Sequence, residues 1–439
     1  MPYNIVIGRN EVDREKLGEN GAINIGRLLV KMGQTTSLSN NILLDIAKTH
    51  VVLIAGKRGS GKSFSAGVIG EEISKLPEEI KNNLTFLYFD TMGVFWTMKF
   101  PNTRQEKLLR EWNLEPESVK INMFVPIGLF KKYLDVGIPA DFPFAIKTSE
   151  LIASDWTNVF DIKLTDSIGI LIERVIGELK DESKDYSIRE IIDRIESNTR
   201  STKEAKDAAI NRFMAAERWG LFDKKGTRIE DLMKPGTINV LDTSAYTNIA
   251  GNWSIKNLVI GIVCSKLLEE RMIARKQEEI EDIKKEKSYF YEEVKQEKPL
   301  VWVIIDEGHE ALPKDIKTPA SDALTQLLKE GRQPGISLIL VTQQPGEIHR
   351  DALTQSDIVI SHRLTSQIDV QALNSMMQSY LYEDIQSYLN SLPKMPGAAI
   401  ILDDNSERIY PVQIRPKRSW HGGEAPSALK IKKKLEFQF

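Results

Sequence analysis

The sequence predicts an α/β fold in which a mostly parallel sheet carries helices on both faces. Two observations predict this class. A glycine-rich stretch at 56–63, GKRGSGKS, follows the apolar run 51–55 and precedes residues with helical spacing. Downstream, apolar runs of strand length alternate with helical segments, which is typical of parallel strands buried on both faces. A nucleotide would bind at the carboxyl ends of such strands.

The stretch at 56–63 fits the phosphate-loop pattern G-x-x-x-x-G-K-[ST] in full. Its glycines let the backbone curl so that N–H groups cradle phosphates, and the following helix adds a favourable dipole. Lys62 is predicted to reach the β- and γ-phosphates, and the Ser63 hydroxyl to hold Mg²⁺. A chance glycine-rich turn is the alternative, although strand and helix are both in place. The residues predicted to contact ATP are Gly56, Lys57, Arg58, Gly59, Ser60, Gly61, Lys62, Ser63 and Phe64.

A second informative stretch is 300–307, LVWVIIDE, an apolar run that ends in two acids. Its continuous hydrophobicity predicts a central parallel strand. Asp306 is then placed to contact Mg²⁺, and Glu307 to polarise an attacking water. Two acids at an ordinary strand–turn boundary are the alternative, and the presence of a phosphate loop weakens it.

A third strand, predicted at 336–341, is followed by Thr-Gln-Gln-Pro at 342–345. This strand end would lie beside the two acids, so Gln343 is predicted to orient water and to report nucleotide state. Capping of the strand is the alternative role for Gln343. The helix predicted at 320–332 ends at Arg332, just before a Gln-Pro-Gly turn.

Bulk properties exclude several classes of protein. With 439 residues and a net charge of −3, the chain is not a polycation, so any contact with nucleic acid must use a local basic surface. The single cysteine, Cys264, forms no internal disulfide and lies in an apolar helical run, where a buried thiol is expected. We find no signal sequence and no run of about 18 apolar residues, and therefore expect a soluble cytoplasmic protein without a membrane span.

Three regions are expected along the chain: a short β segment at 1–45, an ATPase core at 46–415, and a basic tail at 416–439. Within the core, a mainly helical insertion is predicted at about 101–235. Short strands are predicted in the first region at 4–7 and 23–26. Further strands and helices of the core are predicted at 85–90, 236–242, 257–274, 357–361, 370–389, 398–402 and 410–414.

Some positions carry two interpretations. Asp90 ends a predicted strand, where it either faces the nucleotide or starts a turn. The highly charged stretch 275–298 is either a solvated helix with a mobile loop or a loop that contacts DNA. His421 stands alone in the tail, where a surface histidine is expected rather than a ligand.

Together these segments resemble the HerA branch of the HerA–FtsK translocase superfamily. The resemblance rests on GKRGSGKS, VWVIIDEGHEALP, KEGRQPGISLILVTQQP, SDIVISHRL and PVQIRPKRSWHGG, and spans roughly residues 45–425. It implies a RecA-like ATPase that forms a hexameric ring and pumps double-stranded DNA through its pore. Archaeal members work with the NurA nuclease in DNA-end resection, and bacterial relatives pair with nucleases or other effectors in phage defence.

The resemblance also implies roles for individual residues. Lys62 and Ser63 take the phosphate and magnesium positions, and Asp306, Glu307 and Gln343 the acidic pair and the sensor. Arg332 lies in the stretch that resembles the family's arginine motif, which reaches the nucleotide of a neighbouring subunit, and Arg363 is a second candidate. Archaeal HerA helicases have a fuller N-terminal β-barrel than residues 1–45 provide, so the resemblance does not identify the partner.

The function predicted from these observations is an ATP-driven DNA translocase or helicase that works as a homo-hexamer. Two other functions fit the same site. One is an ATPase ring that scaffolds or activates an effector without processive translocation. The other is a conjugation or secretion coupling ATPase, although such proteins usually carry a membrane anchor.

Overall fold

The computed structural model describes residues 3–32, 35–182, 185–248, 253–286, 298–376 and 385–423. Parts of three predicted segments, 287–297, 377–384 and 424–439, lie outside the described residues. Within the described ranges the strands are β1 (Ile5–Ile7), β2 (Ala22–Met32), β3 (Thr35–Asp45), β4 (Val51–Ala55), β5 (Leu84–Asp90), β6 (Asn122–Pro126), β7 (Phe142–Phe144), β8 (Ile146–Lys147), β9 (Phe222–Asp223), β10 (Ile238–Asp242), β11 (Leu300–Ile305), β12 (Ile336–Thr342), β13 (Ile358–His362), β14 (Ala398–Asp403) and β15 (Arg408–Ile414).

Helices lie between these strands along the chain. They are α1 (Glu11–Leu17), α2 (Lys62–Ile73), α3 (Glu78–Lys81), α4 (Glu106–Glu111), α5 (Ile127–Asp135), α6 (Ala153–Val159), α7 (Ser167–Glu182), α8 (Ile188–Ser197), α9 (Lys203–Arg218), α10 (Trp253–Glu286), α11 (Gly308–Ala311), α12 (Ser321–Glu330), α13 (Arg350–Thr354), α14 (Gln367–Met376) and α15 (Ile385–Ser391). No helix in the described ranges has the length and hydrophobicity of a membrane span.

One large sheet positions the functional residues. Its strand order is β1-β3-β2-β15-β14-β13-β4-β12-β11-β5-β10-β6-β7, and the run from β13 to β7 is parallel throughout. The predicted α/β class with a mostly parallel sheet is therefore confirmed. Because parallel strands share a direction, their carboxyl ends form one edge, the carboxyl edge, and their amino ends form the opposite amino edge.

Alternation along the strands divides the core into two layers. In β4, Val52 and Ile54 pack on the face that α2 covers, whereas Leu53 and Ala55 pack on the face covered by α6–α10 and α12. Successive side chains of a strand point to opposite faces, so an unbroken apolar run fills both layers. This explains why the central strands were visible in the sequence.

The N-terminal strands extend the main sheet. β2 and β3 are each 11 residues long and join the sheet through β15, so they run well beyond the short strands predicted here. A buried ionic group fastens this end to the core: Arg9 pairs with Asp45 at 2.7 Å, and His50 contacts Asp357 at 2.7 Å. Burial alone would lower the pKa of His50, but hydrogen bonds to Asp357 and Asp45 raise it to about 9.

The segment 101–235 contributes to both the sheet and a helical layer. Its strands β6 and β7 extend the main sheet, while α6–α9 pack together on one face around the buried Trp156, whose ring meets Phe213 at 4.9 Å. α10 continues beyond the apolar run 257–274 to Glu286, so the first half of the charged stretch 275–298 is helical, as the interpretation of a solvated helix expects. The region boundaries stay predictions.

Candidate active site

The phosphate loop joins β4 to α2 at the carboxyl edge of the sheet. Gly59 (φ 75°) and Gly61 (φ 115°) adopt left-handed backbone conformations that favour glycine, which explains their spacing in the motif. Lys62, the first residue of α2, is buried, and its Nζ donates to the carbonyl of Lys57 at 3.2 Å. Burial lowers the pKa of Lys62, and the Glu307 carboxylate opposes this shift.

The two acids at the end of β11 meet the phosphate loop. The Ser63 hydroxyl donates to Asp306 Oδ2 at 3.2 Å, across 243 residues of sequence. Burial raises the pKa of Asp306 to about 7, and the charge of Glu307 adds to this. A hydroxyl beside a carboxylate is an oxygen donor set that suits Mg²⁺, and a bound cation would favour the charged carboxylate. The residues at this position therefore fit a magnesium ion.

Glu307 lies in a strained conformation with one free carboxylate oxygen. Its φ of 50° is uncommon for a residue other than glycine. Gln343, one residue beyond β12, donates from Nε2 to Glu307 Oε1. Glu307 Oε2 is buried, has no hydrogen-bond partner among the described residues, and lies 3.5 Å from His309 Nδ1. A buried acceptor without a donor has room to accept a hydrogen bond from a water molecule.

Asp90 is fully buried near these acids but contacts its own turn. Its carboxylate accepts hydrogen bonds from the backbone N–H groups of Val94 at 3.0 Å and Phe95 at 2.8 Å. These contacts favour the interpretation of Asp90 as a residue that starts a turn over the interpretation that it faces the nucleotide. Its carboxylate is occupied by the backbone on both oxygens.

A family model described as "Helicase HerA, central domain" matches residues 23–270, more than half of the chain. The chain belongs to this HerA family. Its membership confirms the resemblance found in the sequence, and the chain is an ATP hydrolase with a phosphate loop. The nucleotide of this HerA-family ATPase is ATP.

Sequence relatives align with most of this HerA-family chain. A probable helicase of Methanocaldococcus jannaschii is 24% identical over 451 residues, covering 97% of this chain and 76% of the relative. The DNA double-strand break repair helicase HerA of Sulfolobus acidocaldarius is 24% identical over 386 residues, covering 87% of this chain and 67% of the relative.

Solved structures share the fold. VirB4 of Thermoanaerobacter pseudethanolicus superposes with a TM-score of 0.57 at 13% identity, covering 91% of this chain and 97% of VirB4. The bacterial conjugative coupling protein TrwB gives a TM-score of 0.50 at 14% identity, covering 84% of this chain and 86% of TrwB. At these identities the likeness concerns the fold alone.

The two candidate arginines lie at opposite edges of the sheet. Arg332 is exposed at the amino edge, ahead of β12, and the Thr49 hydroxyl donates to its carbonyl. The seven residues of β12 separate it from the phosphate-loop edge by about 23 Å, so Arg332 cannot reach its own phosphate loop. Arg363 follows β13 at the carboxyl edge, and its carbonyl accepts a hydrogen bond from Lys57 N at 3.0 Å.

His362, which sequence reasoning missed, supports the phosphate loop from behind. It is fully buried at the end of β13, with Nδ1 3.1 Å from the Ala398 carbonyl and Nε2 2.8 Å from Ser65 Oγ. Burial lowers the pKa of His362 to about 4, so the neutral ring donates from Nδ1 and accepts from the Ser65 hydroxyl. The signal in the sequence that could have identified His362 was its position at the end of an apolar strand predicted to lie in the core.

A C-terminal strap, residues 415–423, crosses α2. Glu71 of α2 is buried and accepts from Arg415 at 2.9 Å, from Arg418 N at 3.0 Å and from Ser419 N at 2.8 Å. His421 is half-buried, with its ring edge-on to Phe64 at 5.4 Å, and burial lowers its pKa to about 4. His421, predicted as a surface histidine rather than a ligand, stays partly exposed, although the strap folds back onto the helix that follows the phosphate loop.

Proposed function

We propose that this ATPase is a motor that assembles as a homo-hexameric ring and moves along double-stranded DNA. The observation that carries this proposal is the placement of two groups at opposite edges of one sheet. The phosphate loop and acids lie at the carboxyl edge, and the exposed Arg332 lies at the amino edge. In a head-to-tail ring two different surfaces of the subunit meet, and we propose that the amino edge of one subunit faces the carboxyl edge of the next.

Each residue at the site has a proposed task in hydrolysis. Lys62 binds the β- and γ-phosphates, and the backbone N–H groups of 56–63 surround them. Ser63 and Asp306 would hold Mg²⁺, which supplies charge neutralisation at the phosphates when bound. These tasks position the triphosphate but leave the attacking water and the developing charge to other residues.

Glu307 and Gln343 act on the water. Glu307 accepts the proton of the attacking water at Oε2, the oxygen that has no hydrogen-bond partner in the described part of the chain, while Gln343 holds Oε1 and thereby fixes the carboxylate. Arg332 of the neighbouring subunit then approaches the γ-phosphate as charge develops. A cation supplied in this way is worth roughly 10³–10⁵ in rate in phosphate-loop enzymes.

The action on DNA is supported by the relatives, one of which is named a DNA double-strand break repair helicase. With a net charge of −3, the ring must concentrate its basic side chains where DNA passes. We propose a separately encoded partner, a NurA-like nuclease or another effector of DNA repair or phage defence, that docks on one face of the ring. Its identity and the cellular location of the protein stay predictions.

One experiment tests the proposal: the ATPase rate with and without duplex DNA, measured together with the native mass. We expect a mass of six subunits and turnover that rises when duplex DNA is added. DNA affinity should fall steeply with salt and depend little on sequence. A monomer with full turnover would refute the ring, and turnover that responds only to a partner protein would favour the ring that activates an effector.

A further inference from the structure

A buried arginine of α10, Arg271, is bonded to the turn that carries Arg332. Its side chain is fully buried. Nε donates to the Pro334 carbonyl at 2.7 Å, and Nη1 donates to the Lys298 carbonyl at 2.8 Å. Pro334 lies two residues after Arg332, and Lys298 lies two residues before β11 begins. One guanidinium therefore joins α10, the turn that carries Arg332, and the start of the strand that ends in the two acids.

This turn, residues 331–335, is held from two sides. Gly335 adopts a left-handed conformation with φ 88°, and a Cβ added there would come within 3.2 Å of Arg271 Nη2. The turn therefore lies directly against the buried guanidinium. On the other side, the Thr49 hydroxyl donates to the Arg332 carbonyl at 3.2 Å. The backbone of the turn is thus fixed within its own subunit.

The side chain of Arg332 is not fixed in the same way. It is exposed, and its guanidinium has no hydrogen-bond or ion-pair partner in the described part of the chain. It lines a cavity of about 330 Å³ together with Arg271. A side chain that acts on a neighbouring subunit can be directed in advance only through its backbone. Such accuracy matters, since a misplacement of about 1 Å can cost roughly 10²-fold in rate.

Stability does not account well for a cation buried at this point. Arg271 pairs with one carboxylate, that of Glu278, at 3.1 Å from Nη1. Its Nη2 is buried and has no hydrogen-bond partner among the described residues. Removing a guanidinium from water is costly, and buried ion pairs can often be replaced by apolar side chains without loss of stability. The groups that Arg271 holds in place are a better explanation for its burial.

We propose that Arg271 is a positioning residue for hydrolysis in the neighbouring subunit. Through its bond to Pro334 it holds the turn at 331–335 in the orientation that presents Arg332 to the neighbour's γ-phosphate. The inference rests on the proposed ring and on the proposed action of Arg332 across its interface. The alternative is an effect within the same subunit, in which the bond to Lys298 sets the position of β11 and so of Glu307. The two differ in which subunit's site loses activity.

Mixed rings separate these possibilities. Arg271→Met removes the guanidinium and keeps an unbranched side chain. We expect the pure variant to keep its native mass and its affinity for a non-hydrolysable ATP analogue, and to lose roughly 10–100-fold in kcat. Mixed with equal amounts of Lys62→Ala subunits, which keep Arg271 and Arg332, turnover per site should rise to about a quarter of the wild-type rate. Action within one subunit predicts the opposite, a fall to about half of the pure variant's rate.

Arg9→Met is the matched control. Arg9 is also fully buried, and it also donates to two backbone carbonyls, those of Gly18 and Asn20, and to one carboxylate, that of Asp45. Its bonds fasten the N-terminal strands rather than the turn at 331–335. Arg9→Met should lower the urea midpoint as Arg271→Met does, but leave kcat of assembled rings unchanged.

A second variant covers the case in which Arg271→Met does not assemble. Thr49→Val removes the bond to the Arg332 carbonyl from the half-buried side of the turn, away from the core. It should lower kcat several-fold, leave analogue binding unchanged and be rescued by Lys62→Ala subunits in the same way. Wild-type kcat in Thr49→Val, with no assembled Arg271→Met ring to measure, would overturn the inference.

Three further results would also overturn it. These are wild-type kcat in assembled Arg271→Met rings, a fall in turnover on mixing with Lys62→Ala, and an equal loss of kcat in Arg9→Met. Rings of Arg332→Ala provide the reference for the proposed function. If mixing rescues Arg332→Ala but not Arg271→Met, the role of Arg271 alone fails. If mixing rescues neither, the proposed action across the ring interface fails.

Discussion

Replacing Arg332 with alanine should slow ATP hydrolysis without preventing assembly or ATP binding. The guanidinium is exposed at the amino edge, about 23 Å from its own phosphate loop, so its loss leaves the local site intact. If Arg332 neutralises charge on a neighbour's γ-phosphate, its removal should lower kcat by roughly 10³-fold or more. A merely structural arginine at a helix end would contribute well under about 1 kcal/mol.

Mixed rings provide the decisive assay. Arg332→Ala subunits keep Lys62, and Lys62→Ala subunits keep Arg332, so each variant alone should be almost inactive. In a ring assembled at random from equal amounts, roughly a quarter of the interfaces pair an intact phosphate loop with an intact arginine. The mixture should therefore recover up to about a quarter of wild-type turnover per site, if the sites act independently.

The control for this experiment is Arg228→Ala, which removes a largely exposed arginine from a loop in the segment 101–235. It should leave turnover unchanged in both pure and mixed rings. Normal turnover by a correctly assembled Arg332→Ala ring would refute the reasoning. So would an absence of recovery on mixing, provided native mass shows that the two variants share rings.

Three further predictions concern the site and its supports. Glu307→Gln should bind ATP normally but lower kcat by about 10²–10⁴-fold in steady-state assays, since an amide cannot accept the proton of the water; wild-type turnover would contradict the role of Glu307. Glu71→Ala removes one of the two carboxylates that pair with the buried Arg415, the other being Glu72, and it leaves the strap's backbone N–H groups without their acceptor. It should lower the free energy of unfolding in urea by about 1–3 kcal/mol; an unchanged midpoint would show that the strap contributes little. The pKa of His50 is raised by its carboxylate partners, so the protonated ring adds up to about 3 kcal/mol to the free energy of unfolding. This stabilisation is complete below about pH 6.5 and is lost as the ring deprotonates with pH rising through about 9. Urea midpoints should therefore fall between pH 7 and pH 9.5 in the wild type, and fall less in His50→Gln; equal slopes would exclude the ion pair with Asp357 as the cause.

Local patterns were sufficient for much of this site. The phosphate loop, the acid-ended strand and the α/β class were predictable because each depends on residues adjacent in sequence. The glycine spacing at 56–63 reflects backbone conformations of single residues, and the run 300–307 reflects burial on both faces of a central strand. Family membership followed from the same motifs.

Only the tertiary structure decided which distant groups meet. The bond between Gln343 and Glu307 depends on β12 lying directly beside β11, and the strap's contact with Glu71 spans more than 340 residues. The same sheet order places Arg332 at one edge and Arg363 at the other, although both had been candidates for one role. A motif specifies the conformation of its own few residues, whereas strand order and register are set by packing across the whole sheet. The sequence therefore determined the chemical groups available for hydrolysis, and the fold determined which of them act together in one subunit.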